Sequence, residues 1–180
     1  SVPRNVGAVP YFYNHKFKSS GTPIAYHFGS RYPFGHGLSY TQFAFSDLRL
    51  AAASVDIADG DVVASFTLAN TGSRSGVAVP QLYVRDVQAS VVRPVKELKA
   101  FGRIELAPGE RKRVTFTVPV DMLCFTGPDG DRIVEPGDFE LMIGASSADI
   151  SLRASVGVNG TTRHLGRHWR MESAVSVAAL

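Results

Sequence analysis

The chain has 180 residues, enough for one ordinary domain and an arm and too few for two large domains. Hydrophobic residues make up 44% and charged residues 19%, a balance that favours a packed core over disorder. The formal charge is only +3, with Lys and Arg scattered rather than clustered, which argues against nucleic acid as a partner.

No apolar run approaches the ~20 residues that a membrane-spanning helix needs. Cys124 is the single cysteine, so an intrachain disulfide is excluded, and one thiol without several nearby histidines builds no zinc site. The chain opens on Ser1 rather than an initiator methionine, so the lack of a leader pattern carries little weight. With 17 Gly and 10 Pro spread along the length, turns are frequent, which predicts many short strands rather than long helices.

Residues 1–40 read as an arm rich in Pro, Gly and aromatics. The apolar segment Val9-Pro10-Tyr11-Phe12-Tyr13 contains a proline and follows Pro3, which argues against a helix. It has no alternating partner nearby and is expected to lie, extended, against another body. Left open, Tyr11, Phe12, Tyr13, Phe17, Phe28, Tyr32 and Phe34 would form an apolar patch of the kind that marks an interface. The arm ends in Tyr32-Pro33-Phe34-Gly35-His36-Gly37-Leu38-Ser39-Tyr40-Thr41-Gln42-Phe43, an aromatic connector whose glycines permit turns closed to larger residues.

Residues 41–158 alternate strand-like runs with turns. Phe43 and Phe45 share one phase and Leu48 and Leu50 the other, a slip that predicts a bulge or bend at Ser46-Asp47. Val62, Ala64, Phe66 and Leu68 alternate with Val63, Ser65 and Thr67 before the turn Asn70-Thr71-Gly72. Gln81–Arg85 reads as a further strand. After Ala107-Pro108-Gly109-Glu110, a turn with Gly available for positive φ, Val114, Phe116 and Val118 alternate with Arg113, Thr115 and Thr117. Phe139–Ile143 and Ile150–Ala154 complete the set. Short strands, frequent turns and no amphipathic helix predict an all-β, antiparallel two-sheet sandwich of the immunoglobulin or fibronectin III kind; a closed small barrel is the alternative. Residues 159–180 form a tail in which Val175, Val177 and Leu180 suit either an added edge strand or a mobile end.

The connector resembles, nearly letter for letter, the linker that enters the C-terminal fibronectin type III-like domain of glycoside hydrolase family 3 enzymes. Pro3–Lys16 is similar to the last part of that family's α/β sandwich domain. Pro80-Gln81-Leu82-Tyr83-Val84-Arg85-Asp86, Arg93-Pro94-Val95-Lys96-Glu97-Leu98-Lys99-Ala100-Phe101, Leu106–Glu110 and Val134–Phe139 follow in the family's order. Pro80 stands where the family has an apolar non-proline residue, which predicts an edge position or a bulge. The match runs from about residue 3 to residue 156, and the tail matches nothing.

The resemblance implies a parent enzyme that removes terminal β-linked sugars with retention. A carboxylate attacks the anomeric carbon, and a second carboxylic acid protonates the leaving oxygen. In the family the nucleophile is an Asp of the barrel domain and the acid/base commonly a Glu of the α/β domain, both upstream of the stretch matched here. No catalytic, substrate-binding, cofactor-binding or metal residue is therefore assigned, and no cofactor is expected. The implied partners are the barrel and α/β sandwich domains of the same enzyme, which would hold the oligosaccharide or β-glycoside. A periplasmic or secreted location is expected over a cytoplasmic one.

Residues that invite a site assignment have plainer readings. Asp129-Gly130-Asp131 lacks the further acids of a calcium loop and reads as a hairpin turn. His164 and His168 lack a third ligand. Ser39, His36 and Asp47 lack the strand, elbow and helix of a hydrolase triad. Tyr13, Asn14 and His15 read as packing residues before sugar contacts, and Trp169 as a lone ring. Lys96, Glu97 and Lys99 read as charges that protect a sheet edge. The competing reading is an accessory carbohydrate- or surface-binding module, which a row of exposed aromatics on one sheet face would favour; a free-standing adhesion module would not need the aromatic arm.

Overall fold

The computed structural model describes residues 1–4, 12–16 and 30–180. The described elements are, in chain order, β1 (Val2–Pro3), β2 (Ser30–Tyr32), β3 (Phe43–Leu50), β4 (Ser54–Asp56), β5 (Asp61–Asn70), β6 (Gly76–Ala78), β7 (Gln81–Asp86), β8 (Glu97–Phe101) and β9 (Ile104–Leu106). Then come β10 (Arg111–Pro119), a 3-10 turn (Val120–Leu123), β11 (Phe125–Thr126), β12 (Arg132–Val134), β13 (Gly137–Gly144), β14 (Ile150–Asn159), β15 (Arg163–His164) and β16 (Ala174–Ala179).

Two open sheets face each other as a sandwich rather than a closed barrel. One has the order β16-β10-β5-β3 and the other β4-β14-β13-β7-β8. The alternation read from the sequence sets the facing layers. Val62, Ala64, Phe66 and Leu68 of β5 and Val114, Phe116 and Val118 of β10 are buried, and the ring of Phe66 packs 5.6 Å from that of Phe116. From the other sheet, Leu82, Val84, Leu141 and Ile143 fill the same core. Thr67 and Asn70 depart from the polar-out pattern and are buried as well. Asn70 is satisfied there: its amide donates to the carbonyls of Arg74 and Leu106, and its oxygen accepts from the Thr41 hydroxyl.

The expected bulge is present. The β3–β5 register shifts between Ser46 and Arg49, and Asp47 sits at φ 54°. Pro80 is buried immediately before β7, where the chain leaves its pairing with β9 for a pairing with β8. Its carbonyl accepts from Gly102 N at 3.2 Å, so the bend lies between two strand segments rather than inside one.

The tail folds onto the sandwich. Residues 174–179 pair antiparallel with β10, which resolves the open reading of Val175 and Val177 in favour of an edge strand. Asp121, buried in the 3-10 turn, holds this segment by accepting from the Arg163 guanidinium and from Arg170 N.

Candidate docking site of the aromatic connector

Tyr83 and Met142 stand opposite each other in β7 and β13, with their side chains on the outer face of the five-stranded sheet. Both are buried, although the core between the sheets is made by their neighbours Leu82, Val84, Leu141 and Ile143. Over Tyr83 the arm and connector supply the cover. The Tyr13 ring stacks on Phe34 at 4.4 Å and meets Tyr83 edge-on at 5.7 Å. Its hydroxyl accepts from Leu98 N at 3.1 Å, on the open edge of β8. The His15 carbonyl accepts from Val95 N, and Lys16 forms an isolated bridge with Pro94.

These contacts correct the expectation that the arm has no partner within the sandwich: at Tyr13–Lys16 the partner is β8 and the segment before it. The rest of that expectation, at Val9–Tyr11, Phe17 and Phe28, lies outside the described residues.

Gln81 ties the connector down from below. Its amide nitrogen donates to the carbonyls of Gly35 at 3.2 Å and Ala145 at 2.8 Å, and its oxygen accepts from the Tyr83 hydroxyl. Burial pushes the Tyr83 phenol up from its ordinary pKa, with the neighbouring Tyr13 adding to the effect. Ser147 joins the network: its N–H donates to Phe34 O at 2.9 Å, and its carbonyl accepts from Lys96 Nζ at 2.6 Å. Two motifs distant in sequence, Tyr32–Phe43 and Pro80–Asp86, are thus joined by direct hydrogen bonds. The third, Arg93–Phe101, pairs with the second directly as β8 against β7 and meets the connector through Tyr13 and Ser147.

The charged run of that third motif is only partly a solvated edge. β8 does form the edge of its sheet. Yet Arg93 pairs with Glu97 at 2.8 Å and Asp86 at 3.4 Å and lies over the Phe125 ring at 4.3 Å. The Lys99 side chain is only 12% exposed, and burial draws its ammonium below the ordinary lysine range. Burial pushes the Asp86 carboxyl up, with Arg93 opposing. These charges therefore anchor the 87–95 loop as well as guard an edge.

The remaining candidates are kept apart by their partners. Ser39 Oγ accepts from Thr41 N, the His36 ring stacks on Tyr32, and Asp47 accepts from the Ser46 hydroxyl in the β3 bulge. Asp129-Gly130-Asp131 is a hairpin turn between β11 and β12, with Gly130 at φ +87°. His164 Nδ1 lies 3.3 Å from Asp131, and among the described residues no group of three or more His, Cys, Asp or Glu is placed to hold a metal ion. The Arg132 guanidinium lies 5.0 Å over the Trp169 ring, which packs against the core, so one ring face is taken. No helix among the described residues is long and apolar enough to cross a membrane.

The network built around Gln81 and Tyr83 goes unassigned in the sequence reading, although its signal is present there. Leu82-Tyr83-Val84 and Leu141-Met142-Ile143 are unbroken apolar runs, the mark of strands covered on both faces.

A family model described as a fibronectin type III-like domain matches residues 78–147. A putative β-xylosidase of Formosa agariphila is 41% identical over 152 residues, covering 83% of this chain and 20% of that protein. A periplasmic β-glucosidase of Salmonella typhimurium is 42% identical over 163 residues, covering 83% and 21%. Among solved structures, a β-glucosidase from Listeria innocua in complex with isofagomine superposes with a TM-score of 0.80 at 31% identity, over 88% of this chain and 24% of that one. The chain thus spans about a fifth of the length of the curated relatives it matches. By domain, fold and relatives, the chain belongs to the β-glucosidase and β-xylosidase family that its motifs resemble, as a fibronectin type III-like part of it.

Proposed function

We propose that this chain is the structural C-terminal portion of an exo-acting, retaining β-glycosidase, β-glucosidase-like in its specificity for terminal β-linked sugars. In that reading the nucleophile and the acid/base belong to the barrel and α/β sandwich domains, and the chain alone is inactive. Residues 1–40 are the arm and linker, 41–158 the fibronectin type III-like module and 159–180 a tail. The parent enzyme works in the periplasm or outside the cell, as the Salmonella relative's name suggests.

One observation carries the bracing role. Just past the docked part of the connector, Leu38 and Tyr40 are 95% and 94% exposed, and Tyr32 and Phe12 are about half exposed. Large apolar side chains held this open on an anchored segment mark a surface for another body. The accessory-module reading lacks its own mark among the described residues: of their exposed aromatics Phe12, Tyr32, Tyr40 and Phe101, only Phe101 lies on a sandwich strand.

The purified chain should not turn over an aryl β-glucoside or β-xyloside. Tyr40→Glu should leave the melting temperature of the isolated chain unchanged and lower that of the enzyme from the full reading frame. Turnover abolished by a point change within the 180 residues would overturn the inactive assignment, and an unchanged parent enzyme would overturn the bracing role.

A further inference from the structure

The two main sheets have four edge strands, β3, β16, β4 and β8. An open edge offers unpaired N–H and C=O groups to another chain, and folded proteins blunt it with charge, bulges, brevity or a covering segment. Three of these edges carry such a device. β3 is broken by the bulge at Ser46–Arg49. β4 is three residues long. β8 carries Glu97 and Lys99 and has the Tyr13 hydroxyl on its Leu98 N–H.

Among the described residues β16 has none of them. From Ser173 to Leu180 there is no charged residue and no proline. The strand runs in unbroken register with β10, and among the described residues nothing pairs with its other side. That register sets Val175 opposite Phe116 and Val177 opposite Val114, whose side chains are fully buried. Residues directly opposite share a sheet face, so both valines point to the core layer. They are nevertheless 36% and 46% exposed. The apolar layer is unfinished at this edge.

The sequence there is also a palindrome, Ala174-Val175-Ser176-Val177-Ala178. A second copy laid antiparallel about a two-fold axis at Ser176 sets Ser176 opposite Ser176, Val175 opposite Val177 and Ala174 opposite Ala178. All four valines then fall on the core-facing side, where β-branched cross-strand pairs are favourable. An isologous contact of this kind closes on itself and does not propagate.

We propose that β16 is a homodimerisation edge, through which two copies of this chain join their four-stranded sheets into one continuous antiparallel sheet centred on Ser176. A single pair of edge strands buries less than the ~1,200 Å² of a standard stable interface, so the association is reversible and weak, micromolar or above.

Sedimentation equilibrium across micromolar to submillimolar concentrations tests this. The mass should rise reversibly from 19.4 kDa toward twice that value. Val175→Lys combined with Val177→Lys, at positions already partly exposed, should weaken association at least about tenfold. Ser176→Cys should form an interchain disulfide on mild oxidation, whereas Ala179→Cys, whose copies lie far apart in this register, should not. The cysteine pair changes no charge, so it reads the register even if the lysine variant is unstable. A chain that stays monomeric throughout, open-ended aggregation in place of a dimer, a dimer indifferent to both lysines, or equal crosslinking at 176 and 179 would each overturn the proposal.

Discussion

A Cβ on Gly35 would fall on the carboxamide of Gln81, and Gly35 holds φ at +79°. The connector approaches β7 so closely at this point that its backbone, rather than a side chain, makes the contact: Gly35 O accepts from Gln81 Nε2. Gly35→Ala meets both the steric block and the left-handed backbone, and should cost about 1–3 kcal/mol. At Gly37 a Cβ would meet nothing within 4 Å, so Gly37→Ala should stay within about 0.5 kcal/mol. Denaturant melts of the two variants check the pair. Equal losses would mean that the Gln81 contact does not set the path of the connector.

The second prediction concerns the phase of β10. Phe116 is fully buried against Phe66, and Phe116→Ala should cost about 3–5 kcal/mol through lost transfer energy and the cavity left behind. Thr115 stands on the opposite face, between Ser65 and Ser176, and Thr115→Ala should cost well under about 1 kcal/mol. Chemical denaturation with an unchanged m-value would assign both effects to the folded state.

The sandwich was legible because its facing layers obey a period of two: Phe66, Leu68, Phe116 and Val118 could be placed inside from alternation alone. The bulge at Asp47 was legible as a slip in that period. What escaped was everything beyond the two inner layers. Tyr83 reads in sequence as part of a strand with no face assigned, because the residue that covers it, Tyr13, lies 70 positions away in an arm with no strand pattern. Lys99 reads in sequence as a charge that protects a sheet edge, because sequence does not show that the 87–95 loop folds beside β8. The tail stays open in sequence for a similar reason. Ahead of its strand, Asp121 captures Arg163 and Arg170, a long-range contact without a local signature.

The third prediction separates the ring of Tyr13 from its hydroxyl. Tyr13→Phe keeps the stack on Phe34 and removes the acceptor for Leu98 N, and should cost about 0.5–1.5 kcal/mol. Tyr13→Ala also uncovers Tyr83 and should cost more. Amide exchange gives the sharper reading. Leu98 should lose protection in both variants, while Tyr83 and Met142, within the sheet, should lose it only with Tyr13→Ala. Leu98 protection unchanged in Tyr13→Phe would show that the arm does not seal this edge in solution.

The last prediction is a pH dependence carried by Glu110. In the turn Ala107-Pro108-Gly109-Glu110 its carboxylate accepts from Ala107 N at 2.7 Å, and Lys112 Nζ lies 3.2 Å away. The backbone hydrogen bond first, and then Lys112, hold its carboxyl below the ordinary glutamate range in the folded state. The folded protein therefore binds fewer protons than the unfolded chain between the depressed value and the ordinary one, 4.5, and stability rises with pH across that window. The contribution is fully present above the unfolded value and is lost as pH falls through the folded one. Glu110→Gln keeps a hydrogen-bonding oxygen but no titrating charge. The variant should melt below wild type at pH 6, with the difference closing as the pH drops below 4.5. A difference that persists unchanged to pH 2 would assign the effect to turn geometry and not to the carboxylate.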